Sequence, residues 1–200
     1  MPSGYPTPQT EQAWAGAFGN AYLARNRVDW QARLPFWQSA IDFMHPANVL
    51  EVGCNAGWNL LAIHECDRSV ELLGIDVNAS AVEEARQNGL EVQQLGANAL
   101  IGCHDAGSID LVFTAGMLIH VSPQDLPATM QAIVATSGRY VLAIEYEAAE
   151  EEQVKYRENV GLWKRPYGLL YQEMGLRLLS TGVAGGFDDC TYWLLEKVVE

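Results

Sequence analysis

Apolar and polar positions along this chain fall into two regimes. From about Glu11 to Phe43, Trp14, Phe18, Tyr22 and Leu23 recur at helical spacing, and Pro35 breaks or restarts the pattern. Side chains three and four positions apart share a helix face, so this segment predicts helices carrying an aromatic stripe. After Pro46 short β-branched runs alternate with helical stretches. "NVLEVGC" predicts a first strand, followed by a glycine loop and a helix from about Trp58 to Glu65. "ELLGIDV" predicts a second strand and "ASAVEEARQNG" a second helix closed by Gly89, because a glycine just past a helix turns left-handed without a Cβ penalty. "EVQQLG" reads as a third, weaker strand and "IDLVFTAGML" as a fourth. "SPQDLPATMQAIVATSG" reads as a helix with Ser122 as its N-cap and Pro123 behind it, and "RYVLAIEYE" as a fifth strand.

Strands and helices alternating at this rhythm call for βαβ units, hence an α/β fold with a mostly parallel sheet covered on both faces. "LRLLSTGVAGGFDDCTYWLLEKVV" predicts two strands joined by a glycine- and aspartate-containing turn, an antiparallel hairpin that closes the sheet. "EAAEEEQ" before it is a charged, solvated stretch. The expected organisation is a flexible lead over 1–10 and one domain over 11–200, divided into a helical cover (11–45) and an α/β core (46–200). Trp14 to Arg33 is expected to be a mobile cover, since it is too short to build a core of its own.

Composition narrows the partners. About half of the 200 residues (49%) are apolar, an ordinary globular balance. No apolar run reaches the roughly 18 residues of a membrane span, and "MPSGYPTPQTEQ" lacks the basic start and apolar segment of a signal peptide. Cytoplasmic residence is the expectation. Cys54, Cys66, Cys103 and Cys190 are widely spread, which predicts free thiols and no metal site. A formal charge of −13 weighs against nucleic-acid backbone binding, which rests on Lys and Arg. The expected partner is a small molecule, with neither membrane nor nucleic acid; oligomeric state has no signature in the pattern.

The candidate chemistry starts at "VLEVGCNAGWNLLAI". A plain turn needs one glycine at most; Gly53 and Gly57 with Asn55 between them suggest a loop whose backbone comes close to a ligand. Asn tolerates positive φ better than most residues. The loop is neither Gly-x-Gly-x-x-Gly nor a phosphate-binding loop with Gly-Lys-Ser/Thr. Asp76 ends the next strand, 19 residues past Gly57, where a carboxylate can accept both hydrogen bonds of a ribose diol. That spacing suits a nucleoside ligand of either dehydrogenase or methyltransferase type.

"VLEVGCNAGWNL", "LLGIDVN" and "IDLVFTAGMLIHV" resemble successive motifs of class I S-adenosylmethionine-dependent methyltransferases. "AWAGAFGNAYLARNR", "DLVFTAGMLIHVSPQDLP", "RYVLAIEY", "YRENVGLWKRPY" and "DDCTYWLLEK" look like the bacterial methylases associated with pseudaminic-acid biosynthesis, from about Glu11 to Lys197. The resemblance implies a Rossmann-like, seven-stranded sheet with an antiparallel last strand, and S-adenosylmethionine as cofactor. It implies that Glu51, Gly53, Cys54, Asn55 and Gly57 hold the methionine part and Asp76 the ribose, with Val77 against adenine and Ala97 and Asn98 near its amino edge. Many class I enzymes place an acid after the third strand; "GANAL" offers only Asn98.

On the acceptor side, His120 after the fourth strand and Glu145 and Tyr146 at the end of the fifth are the candidate catalytic residues, with His120 or Glu145 taking the proton. Each also has a plain reading, as a turn histidine or a solvated strand end. Lys155, Arg157, Lys164 and Arg165, interleaved with Tyr156, Trp163 and Tyr167, form a basic and aromatic patch; Arg157, Lys164 and Tyr167 are the substrate-binding candidates, against the alternative of a solvated helix face. Tyr22 and Arg25 are candidates for closing over the cofactor. The expected reaction is methylation of an amino or hydroxyl group of a small polar metabolite, with a nonulosonic sugar as leading acceptor. The competing readings are modification of a nucleic-acid base, disfavoured by the charge and by the lack of an Asn/Asp-Pro-Pro-Tyr/Phe signature, and a non-catalytic cofactor-binding scaffold.

Overall fold

The computed structural model describes residues 9–155 and 161–198. Its first regime is helical, but broken. Helix α1 (Gln9–Ala15) stops at Gly16, α2 (Ala17–Arg25) follows, and a 3-10 turn (Trp30–Arg33) leads into α3 (Leu34–Met44). Pro35 sits in the first turn of α3, where its missing N–H costs nothing, and His45 ends that helix in the left-handed region at φ 45°. The core then runs β1 (Asn48–Val52), α4 (Trp58–Cys66), β2 (Glu71–Asp76), α5 (Ala79–Gln87), β3 (Glu91–Gln94), a short α6 (Leu100–Cys103), β4 (Ile109–Ala115), α7 (Leu126–Thr136) and β5 (Ser137–Glu145). Two short strands, β6 (Glu152–Lys155) and β7 (Gly161–Lys164), pair antiparallel beside the main sheet. Then come α8 (Tyr167–Glu173), β8 (Leu176–Val183) and β9 (Thr191–Lys197).

The main sheet has seven strands in the order β3-β2-β1-β4-β5-β9-β8, with β9 antiparallel to both neighbours. This is the α/β fold the alternation predicts. Central strands are buried on both faces. Val49 of β1 and Leu111 and Phe113 of β4 pack with Trp37, Leu60 and Ile63 on one side. Leu50, Val52 and Val112 pack with Met130, Ile133 and Tyr171 on the other. That two-sided burial is why these strands read as near-continuous apolar runs. The strand order reverses between β1 and β4, and parallel strands end there together, opening a crevice beyond their carboxyl ends. Helix α7 starts at Leu126 with Asp125 before it, so Ser122 does not cap it. The Ser122 hydroxyl instead accepts the Asp125 N–H at 3.2 Å and donates to its carboxylate at 2.6 Å, closing the turn ahead of the helix.

Candidate active site

The crevice is floored by the glycine loop. Gly53 lies at φ 77°, and a Cβ there would come within 2.4 Å of Met117 Cγ, so the loop passes directly beneath the end of β4. The N–H groups of Gly53 and Cys54 both donate to Ile75 O, at 2.8 and 2.9 Å, which fastens the loop to β2. Asn55 takes a left-handed conformation at φ 51° and aims its N–H at Asp76 Oδ2, 2.8 Å away. Asn78 N–H donates to Oδ1 at 2.8 Å. Burial raises the Asp76 pKa against the pull of these backbone N–H groups. A carboxylate has about four lone-pair sites, so these backbone N–H groups leave capacity for a diol.

Gly53, Asn55, Asp76, Val77, Ala97 and Asn98 all line one cleft, joined by His120 and Tyr22. The cleft holds about 960 Å³ of empty space, part of it open to solvent. Its roof is the N-terminal segment. Trp14 packs edge-on against Phe18 and Tyr22, with centroids 5.0 and 4.9 Å apart, and lies 4.2 Å from the His120 ring. A Cβ on Gly19 would fall 1.8 Å from Trp14 O, so only glycine lets the two helices meet this closely. Asn78 Nδ2 donates to Trp14 O and Asn20 Oδ1, at 3.0 and 2.9 Å, while its Oδ1 caps α5. One side chain thus ties the roof to the Asp76 end of the floor.

The end of the cleft around Ala97 and Asn98 contains acids that "GANAL" lacks. Glu11 from α1 and Asp125 before α7 both line it, and the Glu11 carboxylate lies so close to Gly96 that a Cβ there would meet its Oε1 at 2.3 Å. Burial and then the Asp125 charge raise the Glu11 pKa. Asn98 Oδ1 accepts the Thr129 hydroxyl at 3.1 Å. Sequence reading missed Glu11, Asp125 and Thr129, because each reaches the cleft from an element distant in the chain.

Other expected cofactor residues lie elsewhere. Gly57, at φ 80°, serves packing: a Cβ would meet Leu90 Cδ1 at 2.2 Å. Cys54 is buried under the loop, its thiol pushed up by burial and donating to Asn55 O. Glu51 is buried below the floor, where Oε1 accepts Asn59 Nδ2 at 2.6 Å and Oε2 has no partner. Arg33 Nη1 donates to the same Asn59 at 2.8 Å. Burial, outweighing Asn59 and Arg33, lifts the Glu51 pKa to about 8. Arg25 stacks its guanidinium over Phe18 and Tyr22, at 5.6 and 5.4 Å, and does not line the cleft.

The acceptor-side candidates separate. His120 lines the cleft on a 3-10 turn (Leu118–His120), its Nδ1 without a hydrogen-bond partner, and burial pushes its pKa down to about 3. Glu145 ends β5, as expected, but is not among the residues that line the cleft. It is fully buried and accepts the N–H groups of Met117, Leu118 and Ile119 at 3.0, 3.0 and 3.4 Å. Burial raises its pKa to about 7 despite those donors. Tyr146 is half-buried, its hydroxyl donating to Asp188 at 3.3 Å and its pKa raised chiefly by burial. Lys164 lies 5.9 Å over the Tyr146 ring. Tyr167 is no surface residue: it is buried in the core against Trp193, with its hydroxyl on Trp163 O at 2.8 Å. Arg157 lies outside the described residues. Among the described residues, no helix is long and apolar enough to cross a membrane, and no cluster of three or more His, Cys, Asp or Glu residues could hold a metal ion.

Comparison with known proteins bears on this site. Residues 49–137, the segment containing the glycine loop, Asp76 and His120, match the family model described as a methyltransferase domain. No curated protein matches the chain by sequence. Among solved structures, a 1,6-didemethyltoxoflavin-N1-methyltransferase of Burkholderia thailandensis, crystallised with 1,6-didemethyltoxoflavin and S-adenosylhomocysteine, is similar at TM-score 0.76 and 12% identity, covering 100% of this chain and 94% of that one. A sugar N-methyltransferase from a Streptoalloteichus species is similar at TM-score 0.67 and 11% identity, over 100% and 98%. An Aquifex aeolicus S-adenosylmethionine-dependent methyltransferase is similar at 0.65 and 17%, over 89% and 98%. Residues 49–137 thus carry the match to a methyltransferase domain, and the chain as a whole shares the fold of these S-adenosylmethionine-dependent methyltransferases.

Proposed function

We propose that this enzyme methylates an amino or hydroxyl group of a small polar metabolite, with an acidic sugar of the nonulosonic type as the leading acceptor. The observation that carries the reading is the roofed cleft at the strand-order reversal, lined by Asp76 and by a His120 whose Nδ1 has no partner. The residues present fit the cofactor: a floor at Gly53 that a Cβ would fill, a carboxylate with lone pairs to spare, and an apolar end at Val77 and Leu95. Asp76 would hold the ribose diol, Gly53 and Asn55 the methionine part, and Ala97 and Asn98 the adenine edge, helped by Glu11 and Asp125. When bound, the cofactor supplies an electrophilic methyl on a sulfonium.

The chain's own contribution is alignment and exclusion of water. Trp14 and Tyr22 line the cleft, with Trp14 against the His120 ring. His120, held neutral by burial, accepts a hydrogen bond from the acceptor N–H or O–H and orients its lone pair. An amine acceptor suits this better than an alcohol, because its lone pair is nucleophilic once the nitrogen is neutral, and a weakly basic imidazole then suffices. The similarity to a sugar N-methyltransferase and to another N-methyltransferase supports the same preference, and Lys164 beside Tyr146 offers a cation to an acidic acceptor. Incubation with tritiated S-adenosylmethionine and a cell metabolite extract tests the reading. Label should enter a small polar product. Label entering added nucleic acid instead would overturn it.

A further inference from the structure

A carboxyl and a guanidinium are buried on either side of one short turn. Glu145 takes the N–H groups of Met117, Leu118 and Ile119. The Arg165 side chain is 1% exposed, and it donates from Nη1 to Leu118 O at 3.2 Å and from Nη2 to Val121 O at 3.0 Å. Burying a polar or charged group is costly unless it is fully hydrogen-bonded. Here the backbone of 117–121 supplies those bonds on both sides, its N–H groups given to the Glu145 carboxyl and its carbonyls to the Arg165 guanidinium. A turn that merely linked β4 to α7 would not need this, since buried Leu118 and Ile119 already anchor it. What the turn carries is His120.

Arg165 has further ties, one of them from Nη1 to the Tyr167 hydroxyl at 3.5 Å. Arg165 follows β7, and its Nε donates to Glu151, which precedes β6, at 2.7 Å. One guanidinium therefore joins the base of the β6–β7 hairpin to the His120 turn. We propose that Arg165 and Glu145 are positioning residues for methyl transfer: together they fix the turn that places the His120 imidazole, and Arg165 makes that placement depend on the hairpin. This rests on the reading of His120 given above. Displacing a reacting group by about 1 Å can cost on the order of 100-fold in rate, so a fork that grips two carbonyls is worth its burial.

Arg165→Lys keeps the charge and loses the fork. The rate is read as tritiated methyl transfer from S-adenosylmethionine into metabolite extract, folding and cofactor binding by calorimetry with S-adenosylhomocysteine, and the turn by hydrogen exchange at Met117, Leu118 and Ile119. The expected result is near-unchanged affinity for S-adenosylhomocysteine, at least about tenfold faster exchange at those amides, and a rate lower by roughly 10–100-fold. Combined with His120→Ala, which alone should slow transfer at least tenfold, Arg165→Lys should add nothing further. A full additional loss in that background, or unaltered exchange, overturns the positioning role while leaving His120 in place. An unchanged rate in His120→Ala alone overturns the His120 reading itself. Should Arg165→Lys fail to bind S-adenosylhomocysteine, Glu151→Gln decides, because Glu151 is half-exposed and dispensable for the core: the extract concentration giving half-maximal rate should rise several-fold, and no change sinks the coupling.

Discussion

Asp76 and Glu51 lie on adjacent strands, and their different surroundings separate an acid that lines the cleft from one buried beneath it. Asp76 stands at the strand end with both oxygens on backbone N–H groups and a cleft beside it. Asp76→Ala is expected to weaken S-adenosylhomocysteine binding by about 1–3 kcal/mol, measured by calorimetry, the cost of hydrogen bonds lost to a buried polar partner. His120 carries a second expectation. With its pKa down at about 3, the imidazole stays neutral across the working range, so the rate of methyl transfer should show no inflection near pH 6.5 due to this ring. An inflection there that disappears in His120→Ala would mean a solvated, titrating histidine and would remove the case for a dry acceptor pocket. At this scale the sequence is legible wherever the cause is local: Gly53, Asn55 and Asp76 are set by a strand end and a tight loop. Glu51 and Tyr167 were not legible. Their partners, Asn59 with Arg33 for the one and Trp163 with Trp193 for the other, depend on which face each side chain takes.

Among the elements, the βαβ alternation and the closing hairpin could be read directly, since period and burial agree along those strands. The β6–β7 hairpin could not: "EQVK" and "GLWK" are four-residue strands with no alternation to mark them. Nor could the break at Gly16 or the contact at Gly19, because a glycine made necessary by a neighbouring helix looks like any other glycine. The roof is where this matters most. Its polar ties include Asn78, which binds two groups of the segment, and Arg27, which pairs with Glu84 of α5 at an exposed position, where ion pairs contribute little; Leu23 adds an apolar contact with Ala56 and Ala81. A helical segment docked over a cleft is a candidate for opening. Deleting residues through Arg27 should leave the sheet folded and weaken S-adenosylhomocysteine retention. Hydrogen exchange across Trp14–Arg25 should slow when S-adenosylhomocysteine is added; equal protection with and without it would make the segment a fixed layer.

At the scale of the whole molecule, the buried titratable groups make stability depend on pH in a direction opposite to that of an ordinary acid-labile protein. Burial lifts Glu51 to about 8 and Glu145 to about 7, and raises Asp76 as well. A carboxyl whose pKa is higher folded than unfolded binds more protons in the native state, so its contribution is complete below its ordinary value, near 4.5 for Glu, and is lost as pH rises through the folded value. His120 acts in the other direction. Its depressed pKa makes the native state reluctant to take a proton, so stability is lost as pH falls from its ordinary 6.5 toward 3. Between 4.5 and 6.5 the carboxyls and the histidine oppose one another; above 6.5 the histidine drops out and Glu145 and then Glu51 remain. The melting temperature should therefore decline from pH 6.5 to 8, at about 2–4 °C for each kcal/mol in a chain of this size. Glu51→Gln keeps an oxygen for Asn59 and removes the titration, so it should abolish most of the decline between pH 7 and 8 while changing little at pH 5. Parallel melting curves of the two proteins across that range would refute a buried, protonated Glu51.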